Sequence, residues 1–388
     1  MTAAIVGWSH LPFGRHDNET VETMTVRAAR DALAHAGIAA ADVDEIVLGH
    51  FNAGFSEQDF TASLVLQADD ALRFKRATRV ENACATGSAA VHFAHRAVRS
   101  GDARIVLVVG VEKMTSTPGP EIGRNLLRAS YLPEDGETPA GFAGVFGKIA
   151  DLYFQRHGDQ SDALAAIAAK NHKNGVANPL AQMRKDLGFE FCRNESEKNP
   201  FVAGPLKRTD CSLVSDGAAA LVIADTQTAL KFPRAVAFRG IGHAQDFLPM
   251  SKRDIIAYEG CTQAWKLAHA AAGTSNDDLS FVETHDCFTI AELIEYEAMG
   301  LAKPGQGGAL ALSGETAMGG RLPVNPSGGL KAKGHPIGAT GVSMHVLSAM
   351  QLTGEAGGIQ VPGASLAGIF NMGGAAVANY VSILERIK

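Results

Sequence analysis

The chain has 388 residues, 46% of them apolar and 20% charged, with a formal net charge of −6. That length exceeds what one hydrophobic core usually fills, so two core units or one duplicated unit are expected. The acidic balance argues against a nucleic-acid partner, though a local basic patch could still receive a phosphorylated small molecule, and no apolar run is long enough to suggest a membrane span.

The start, Met1-Thr-Ala-Ala-Ile-Val-Gly, reads as an immediate first strand at Ala3–Val6, without the basic and apolar regions of a signal peptide. Val21–Ala36 has helical spacing and closes at Gly37. Glu45–Gly49 is a strand candidate, and residues 84–99 form a helix candidate closed by Ser100-Gly101. Arg104–Gly110 is an apolar run suited to a buried strand. From Lys113 to Arg208 the texture changes: Pro, Gly, Asn and charged residues rise, and helical patterns persist only at Phe142–His157 and Ser161–Asn174. This stretch reads as an insertion packed over one end of the sheet, serving as a lid or a binding wall. Ser215–Ala224 returns to strand texture. Val236–Gly240 then reads as strand, Cys261–Ala272 as helix, Phe281–Thr284 as strand and Thr289–Gly300 as helix. A glycine-rich stretch from Gly305 to Gly341 leads into a helix ending near Leu352. Strands near Ser365–Phe370 and Ala375–Leu384 close the chain. The order of elements repeats in the two halves of an α/β fold, without a repeat in residue identity.

Five cysteines stand at 84, 192, 211, 261 and 287. The odd count and the lack of any Cys-x-x-Cys pair give no support for a zinc or redox motif, so no metal is expected and a reducing, cytoplasmic setting fits. Cys84 lies among small residues ahead of a helical run, where the helix dipole and backbone N–H groups favour a thiolate. A small buried cysteine in a packed turn explains the same residues. Residues 325–341, Asn-Pro-Ser-Gly-Gly-Leu-Lys-Ala-Lys-Gly-His-Pro-Ile-Gly-Ala-Thr-Gly, frame His335 with glycines. A neutral imidazole there could take the Cys84 proton and then donate to a carbonyl oxygen; the bland alternative is a surface loop with an incidental histidine. His285-Asp286-Cys287-Phe288 follows a strand, where α/β sheets bind ligands. It offers a donor and an acid/base, or simply a buried pair flanking a strand end. Phe370-Asn-Met-Gly-Gly-Ala puts Gly373 and Gly374 after a strand. Their N–H groups suit an oxyanion hole, and the segment also suits a tight hairpin turn.

In this order and spacing, these segments resemble the thiolase family over essentially the whole chain. Glu81-Asn-Ala-Cys-Ala-Thr-Gly-Ser-Ala-Ala looks like its acyl-accepting cysteine motif. Gly110-Val-Glu-Lys-Met and Ser215-Asp-Gly-Ala-Ala-Ala resemble two further stretches, and Asn325–Gly341 matches the long signature with its Gly-His-Pro. The family's Asn-Glu-Ala-Phe stands here as His285-Asp286-Cys287-Phe288, and its C-terminal Cys-x-Gly as Asn371-Met372-Gly373. That pair of changes is similar to the sterol-carrier-protein type of thiolase.

The resemblance implies two similar βαβαβαββ halves in a five-layered α-β-α-β-α core. The first half would be 1–112 with 209–232, and the second 233–388, with 113–208 inserted as an acyl and CoA-binding wall. It implies forming or cleaving a 3-oxoacyl-CoA through an acyl group on Cys84. Catalysis would fall to His335, Cys287, His285 and Gly373, with Cys287 replacing the missing C-terminal cysteine and Phe146 lining the acyl pocket. Coenzyme A and acyl-CoA would be substrates, with no permanently bound cofactor. A homodimer or homotetramer is implied, with a small OB-fold protein as a possible partner. A β-ketoacyl synthase-like condensing enzyme and a thiolase-like binding or complex subunit with low activity alone remain as alternatives.

Overall fold

The computed structural model describes residues 3–388; Met1 and Thr2, where the N-terminal reading starts, lie outside them. The first half runs β1 (Ala3–His10), α1 (Val21–Ala36), β2 (Glu45–Gly49), β3 (Arg76–Val80), α2 (Thr86–Ser100) and β4 (Ile105–Glu112). The insertion carries α3 (Gly119–Leu127), α4 (Leu132–Asp135), α5 (Phe142–His157), α6 (Ser161–Gly175), α7 (Phe189–Arg193) and the hairpin of β5 (Phe201–Ala203) and β6 (Leu206–Lys207). Then come β7 (Gly217–Asp225) and α8 (Thr226–Ala229). The second half runs β8 (Val236–Gln245), α9 (Glu259–Ala272), β9 (Phe281–Glu283), α10 (Thr289–Ala298), α11 (Gly307–Ser313), α12 (Gly329–Lys333), α13 (Ile337–Thr353), β10 (Leu366–Gly373) and β11 (Ala378–Arg386).

The strand order is β3-β2-β4-β7-β1-β8-β11-β10-β9. Its midpoint is the short antiparallel contact of β1 with β8, where Ala4 pairs with Ala237 and Ile5 with Val236. Outward from that joint both halves repeat one pattern. β7 and β4 pair antiparallel and β2 parallel on one side; β11 and β10 pair antiparallel and β9 parallel on the other. β3 adds a parallel edge to the first half, and a single parallel bridge from Val282 to Val324 marks its counterpart. The halves differ in this connection: the β2–β3 link holds a 3-10 helix at Thr61–Ala68, where the second half has α10 followed by α11 and α12.

α1 covers the outer face of β1, β4 and β7, and α9 the outer face of β8 and β11. α2 and α13 lie against each other between the two half-sheets, which makes five layers. Strands enclosed this way are covered on both faces, so they read as continuous apolar runs rather than alternating ones; every residue of β4 is buried. α1 is fixed locally, by a capping box of Thr20 and Thr23 and by Gly37 in the left-handed region at φ 69°.

Candidate active site

α2 begins at Thr86, two residues later than its spacing suggests, so Cys84 stands just ahead of the helix in a tight turn. Ala85 and Thr86 N–H groups donate to the Asn82 and Ala83 carbonyls, and the Asn82 N–H donates to Thr86 Oγ1. α13 begins just after His335-Pro336. The two helices meet through glycine. A Cβ on Gly341 would stand 2.1 Å from Ser88 N, and one on Gly87 2.7 Å from Gly341 N. This close crossing sets the Cys84 turn beside the His335 turn. Glu112 locks it from the sheet side, accepting the N–H groups of Phe51, Asn52 and Gly338.

Cys84 Sγ and one ring nitrogen each of His285 and His335 lie within 4.8 Å of one another, all buried. Hydrogen bonds set the two imidazoles in opposite senses. Thr340 donates its only hydroxyl proton to the Pro336 carbonyl, so its oxygen accepts from His335 Nδ1–H at 2.7 Å. His335 Nε2 is then a free lone pair. The Asn371 amide is oriented by donating to the Cys84 carbonyl, so the same nitrogen donates to His285 Nδ1 at 2.8 Å. His285 Nε2 therefore carries the proton. Neither Nε2 has a hydrogen-bond partner among the described residues. Burial, then the Lys333 charge, pulls the His335 pKa down to about 3, and burial, then the charges of His335 and Lys333, hold His285 far below 6.5. Both rings are neutral near pH 7, one a base and the other a donor.

These three residues are also the only His, Cys or carboxylate donors among the described residues grouped closely enough to hold a metal ion. As set, His285 turns a proton rather than a lone pair inward, which suits an oxyanion better than a cation.

At Cys84 the effects that favour a thiolate are outweighed. Burial pushes the Cys84 pKa up to about 12, although the N–H groups of Gly374 and of Cys84 itself act in the opposite sense. The turn's dipole is real but weaker than the loss of water. The amide at the sulfur is that of Gly374, one residue beyond the expected Gly373. Cys287 is buried too, and its pKa is raised well above 9 by burial, then by Cys84, Glu295 and Asp286. Cys84, Cys287 and His335 line one cavity of about 810 Å³, whose remaining wall is largely apolar side chains of the insertion and its flanks. Lys185, Lys198 and Arg208, all exposed, also line it. Phe146 does not. It is fully buried behind the wall, stacked on Phe288 at 4.4 Å, and Phe142 and Phe288 take the lining positions.

Residues 3–227 match the family model "Thiolase, N-terminal domain", and residues 242–386 match "Thiolase C-terminal domain-like". The chain belongs to the thiolase family. It is 34% identical to an acetyl-CoA acetyltransferase of Methanothermobacter thermautotrophicus over 99% of both chains. It is also 34% identical to sterol carrier protein 2 of Bos taurus over 76% of this chain and 56% of that one. The Ltp2-ChsH2(DUF35) aldolase shares the fold, with a TM-score of 0.84 at 22% identity over 99% of this chain and 97% of that one.

Against this thiolase frame, the two departures read from the sequence form one unit. Asn371, in place of the C-terminal cysteine, holds the ring of His285, in place of the asparagine. The sequence reading missed Asn371's task, because the pair is 86 positions apart in the chain. It also missed the anchors Glu112, Thr340 and Asp216. Asp216 gathers Lys113 Nζ, Thr115 Oγ1 and the N–H groups of His16, Met114 and Thr115 at the start of β7. Asp286 does the same for the His285 loop, accepting the N–H groups of Leu330 and Lys331 and so tying it to the turn before His335.

Proposed function

We propose that this thiolase-type acyltransferase carries its acyl group on Cys84 and makes or breaks a carbon–carbon bond next to a CoA thioester. In the cleaving direction His335 Nε2 takes the Cys84 proton as sulfur attacks the 3-keto carbon of a 3-oxoacyl-CoA. The bond to C2 breaks, and Cys287 protonates the departing acetyl-CoA enolate. Cys287 then takes the proton of free CoA, whose sulfur removes the acyl group from Cys84. His285 Nε2–H, with His335 once it is protonated, stabilises one oxyanion; the N–H groups of Cys84 and of Gly373 or Gly374 stabilise the other. Reversal is a Claisen condensation.

The observation that carries this reading is the single cluster of Cys84, His285 and His335, set as nucleophile, donor and base. The insertion 113–208 supplies much of the cavity wall, and Lys185, Lys198 and Arg208 suit the CoA phosphates. The open edge at β3 and the exposed Phe60 and Phe74 support a homodimer contact there. The aldolase neighbour is named for two components, Ltp2 and ChsH2(DUF35), which keeps a small partner protein in this reading. Five unpaired thiols support a reducing, cytoplasmic compartment.

The test is a burst. Mixed with a 3-oxoacyl-CoA and no free CoA, the wild type should release about one acetyl-CoA per site, and Cys84→Ala should release none. A full burst from the alanine variant would end the proposal.

A further inference from the structure

Three stretches of the chain each bring a residue to the cavity that holds Cys84: His172 from α6 of the insertion, Cys287 from the His285 loop, and Lys331 from α12. The residue just before each of them does not line the cavity. Those three neighbours are bonded to one another instead. Asn171 Nδ2 donates to Asp286 Oδ2 at 2.7 Å, and Asp286 Oδ1 accepts the Leu330 N–H at 2.6 Å. All three are buried, and Asn171 and Asp286 have no exposure at all.

The same Asn171 amide nitrogen also donates to Glu292 Oε2, at 2.6 Å. Lys170 Nζ donates to Glu292 Oε1 and to the Val324 carbonyl, both at 2.7 Å, and Asn325 Nδ2 donates to Glu292 Oε2 at 2.9 Å. Two carboxylates decide which way the Asn171 amide faces, because turned over its oxygen would meet both of them. Its Oδ1 has no partner among the described residues, so the NH2 group alone holds the side chain. The backbones approach through glycine. A Cβ on Gly329 would stand 2.3 Å from Asp286 Oδ2, and one on Gly328 2.7 Å from the Cα of Gly175 at the end of α6. Asp286 holds the loop from one side. The Ser212 N–H, donating to the Cys287 carbonyl at 2.8 Å, holds it from the other. His335 has separate ties, its N–H on Ser215 Oγ and its ring on Thr340.

We propose that Asn171 is a positioning residue: its amide fixes the Asp286 carboxylate, and through it sets the Cys287 thiol against substrate lying on the wall that the insertion supplies. The proposal rests on the reading of Cys287 as the group that moves the C2 proton. Asn171 touches neither substrate nor the reacting atoms. It acts through Asp286, the chain neighbour of Cys287, and ties the helix that carries His172 to the loop that carries the acid/base. Losing its bonds therefore falls on the proton transfer at Cys287, while Cys84 and His335 keep their own anchors.

The experiment compares two readouts on the full chain. Alkylation of Cys84 by iodoacetamide, located by peptide mass spectrometry, reads the nucleophile and His335. Deuterium uptake from D2O into the methyl group of acetyl-CoA reads the acid/base. Asn171→Ser should slow uptake on the order of 10²-fold, as misplacing a reacting group by about an ångström does, and leave alkylation within about twofold of the wild type. Asp286→Asn breaks the same bond from the other side and should show the same split, which covers a serine variant that fails to fold; thermal melting decides that. A site merely loosened would slow both readouts together. That result, wild-type uptake in both variants, or the unfolding of both would overturn the proposal. Cys287→Ala separates the proposal from the reading beneath it. Loss of uptake in this variant alone sinks the positioning role and keeps the Cys287 reading. Uptake at the wild-type rate in Cys287→Ala removes Cys287 from the reaction, and the proposal with it.

Discussion

α2 and α13 occupy equivalent places in the two halves, yet they deliver opposite chemistry. Each precedes the strand that pairs antiparallel with β7 or β11, and they cross at Gly87 and Gly341. Just before α2 stands a thiol, Cys84; just before α13 stands an imidazole, His335. The repeated topology gives one frame with two neighbouring helix starts, and the residue ahead of each decides its task. The comparison also shows what helix ends do not do here. Both point positive backbone charge at the site, but the Cys84 thiol is still pushed up to about 12 by burial. The dipoles and N–H groups are therefore most useful to charge that develops on substrate oxygen during reaction. The proton must leave Cys84 as its sulfur attacks, and His335 has to be there to take it.

The largest effect should follow from breaking that division of labour. His335→Ala removes the only base at the α13 side, and single-turnover acylation of Cys84 should fall on the order of 10²–10⁴-fold. If acylation is as fast in this variant as in the wild type, the α13 start has no part in activating the α2 start. A smaller but more telling effect belongs to Asn371. Asn371→Asp places an acceptor at His285 Nδ1, draws the ring proton there and strips Nε2 of its donor. Turnover should fall by about 10²–10³-fold, the usual consequence of losing one oxyanion donor. Asn371→Ala leaves the tautomer free and should lose less. The order of these two variants in steady-state assays is the check; an aspartate variant faster than the alanine variant would show that the tautomer is not the issue.

Some of this was legible in the sequence because its causes are local. α1, β2 and α5 fall where spacing, a left-handed glycine cap and apolar runs put them. β3 was not legible. Arg76-Ala-Thr-Arg-Val has no apolar run, because an edge strand pairs on one side: Arg76 stays exposed, and Arg79 donates to the His50 and Phe51 carbonyls. The helices of the insertion outside 142–175 are short, nine residues at most, too few to show a sustained period. In the site, Cys84, His335, His285 and Cys287 were readable as types in dense patterns. Their protonation was not. A helix dipole can be read from a few neighbouring residues, whereas burial depends on both half-sheets closing over the site. Phe146 fails for a related reason: the helical face can be read from α5 alone, but Phe288 comes from the other half and covers it.

The mildest test returns to the two helices, which carry a second, purely structural pair of imidazoles. His345 Nδ1 donates to the Gly341 carbonyl, so its Nε2 accepts from Ser382 Oγ at 2.9 Å, and that oxygen accepts from His92 Nε2 at 3.1 Å. The bond from Ser382 to His345 Nε2 requires a neutral His345 ring. Burial lowers the His345 pKa from 6.5 to about 4, and burial, then His345, lowers that of His92 further. The sign follows from proton uptake. Above pH 6.5 neither state binds the proton, and stability is complete. As pH falls below 6.5 the unfolded chain takes up protons that the folded chain refuses, and stability is lost until the folded pKa is reached. For His345 alone that window is worth roughly 3 kcal/mol, at about 1.4 kcal/mol per pH unit. The melting temperature should therefore decline between pH 6.5 and 5, before most carboxylates titrate. His345→Gln should start lower at pH 7.5 but decline less over the same range. An equal decline in the variant would assign the acid sensitivity elsewhere. It would also leave α2 and α13 joined by their glycines and their apolar packing, with the buried histidine pair contributing nothing to the frame that positions Cys84 and His335.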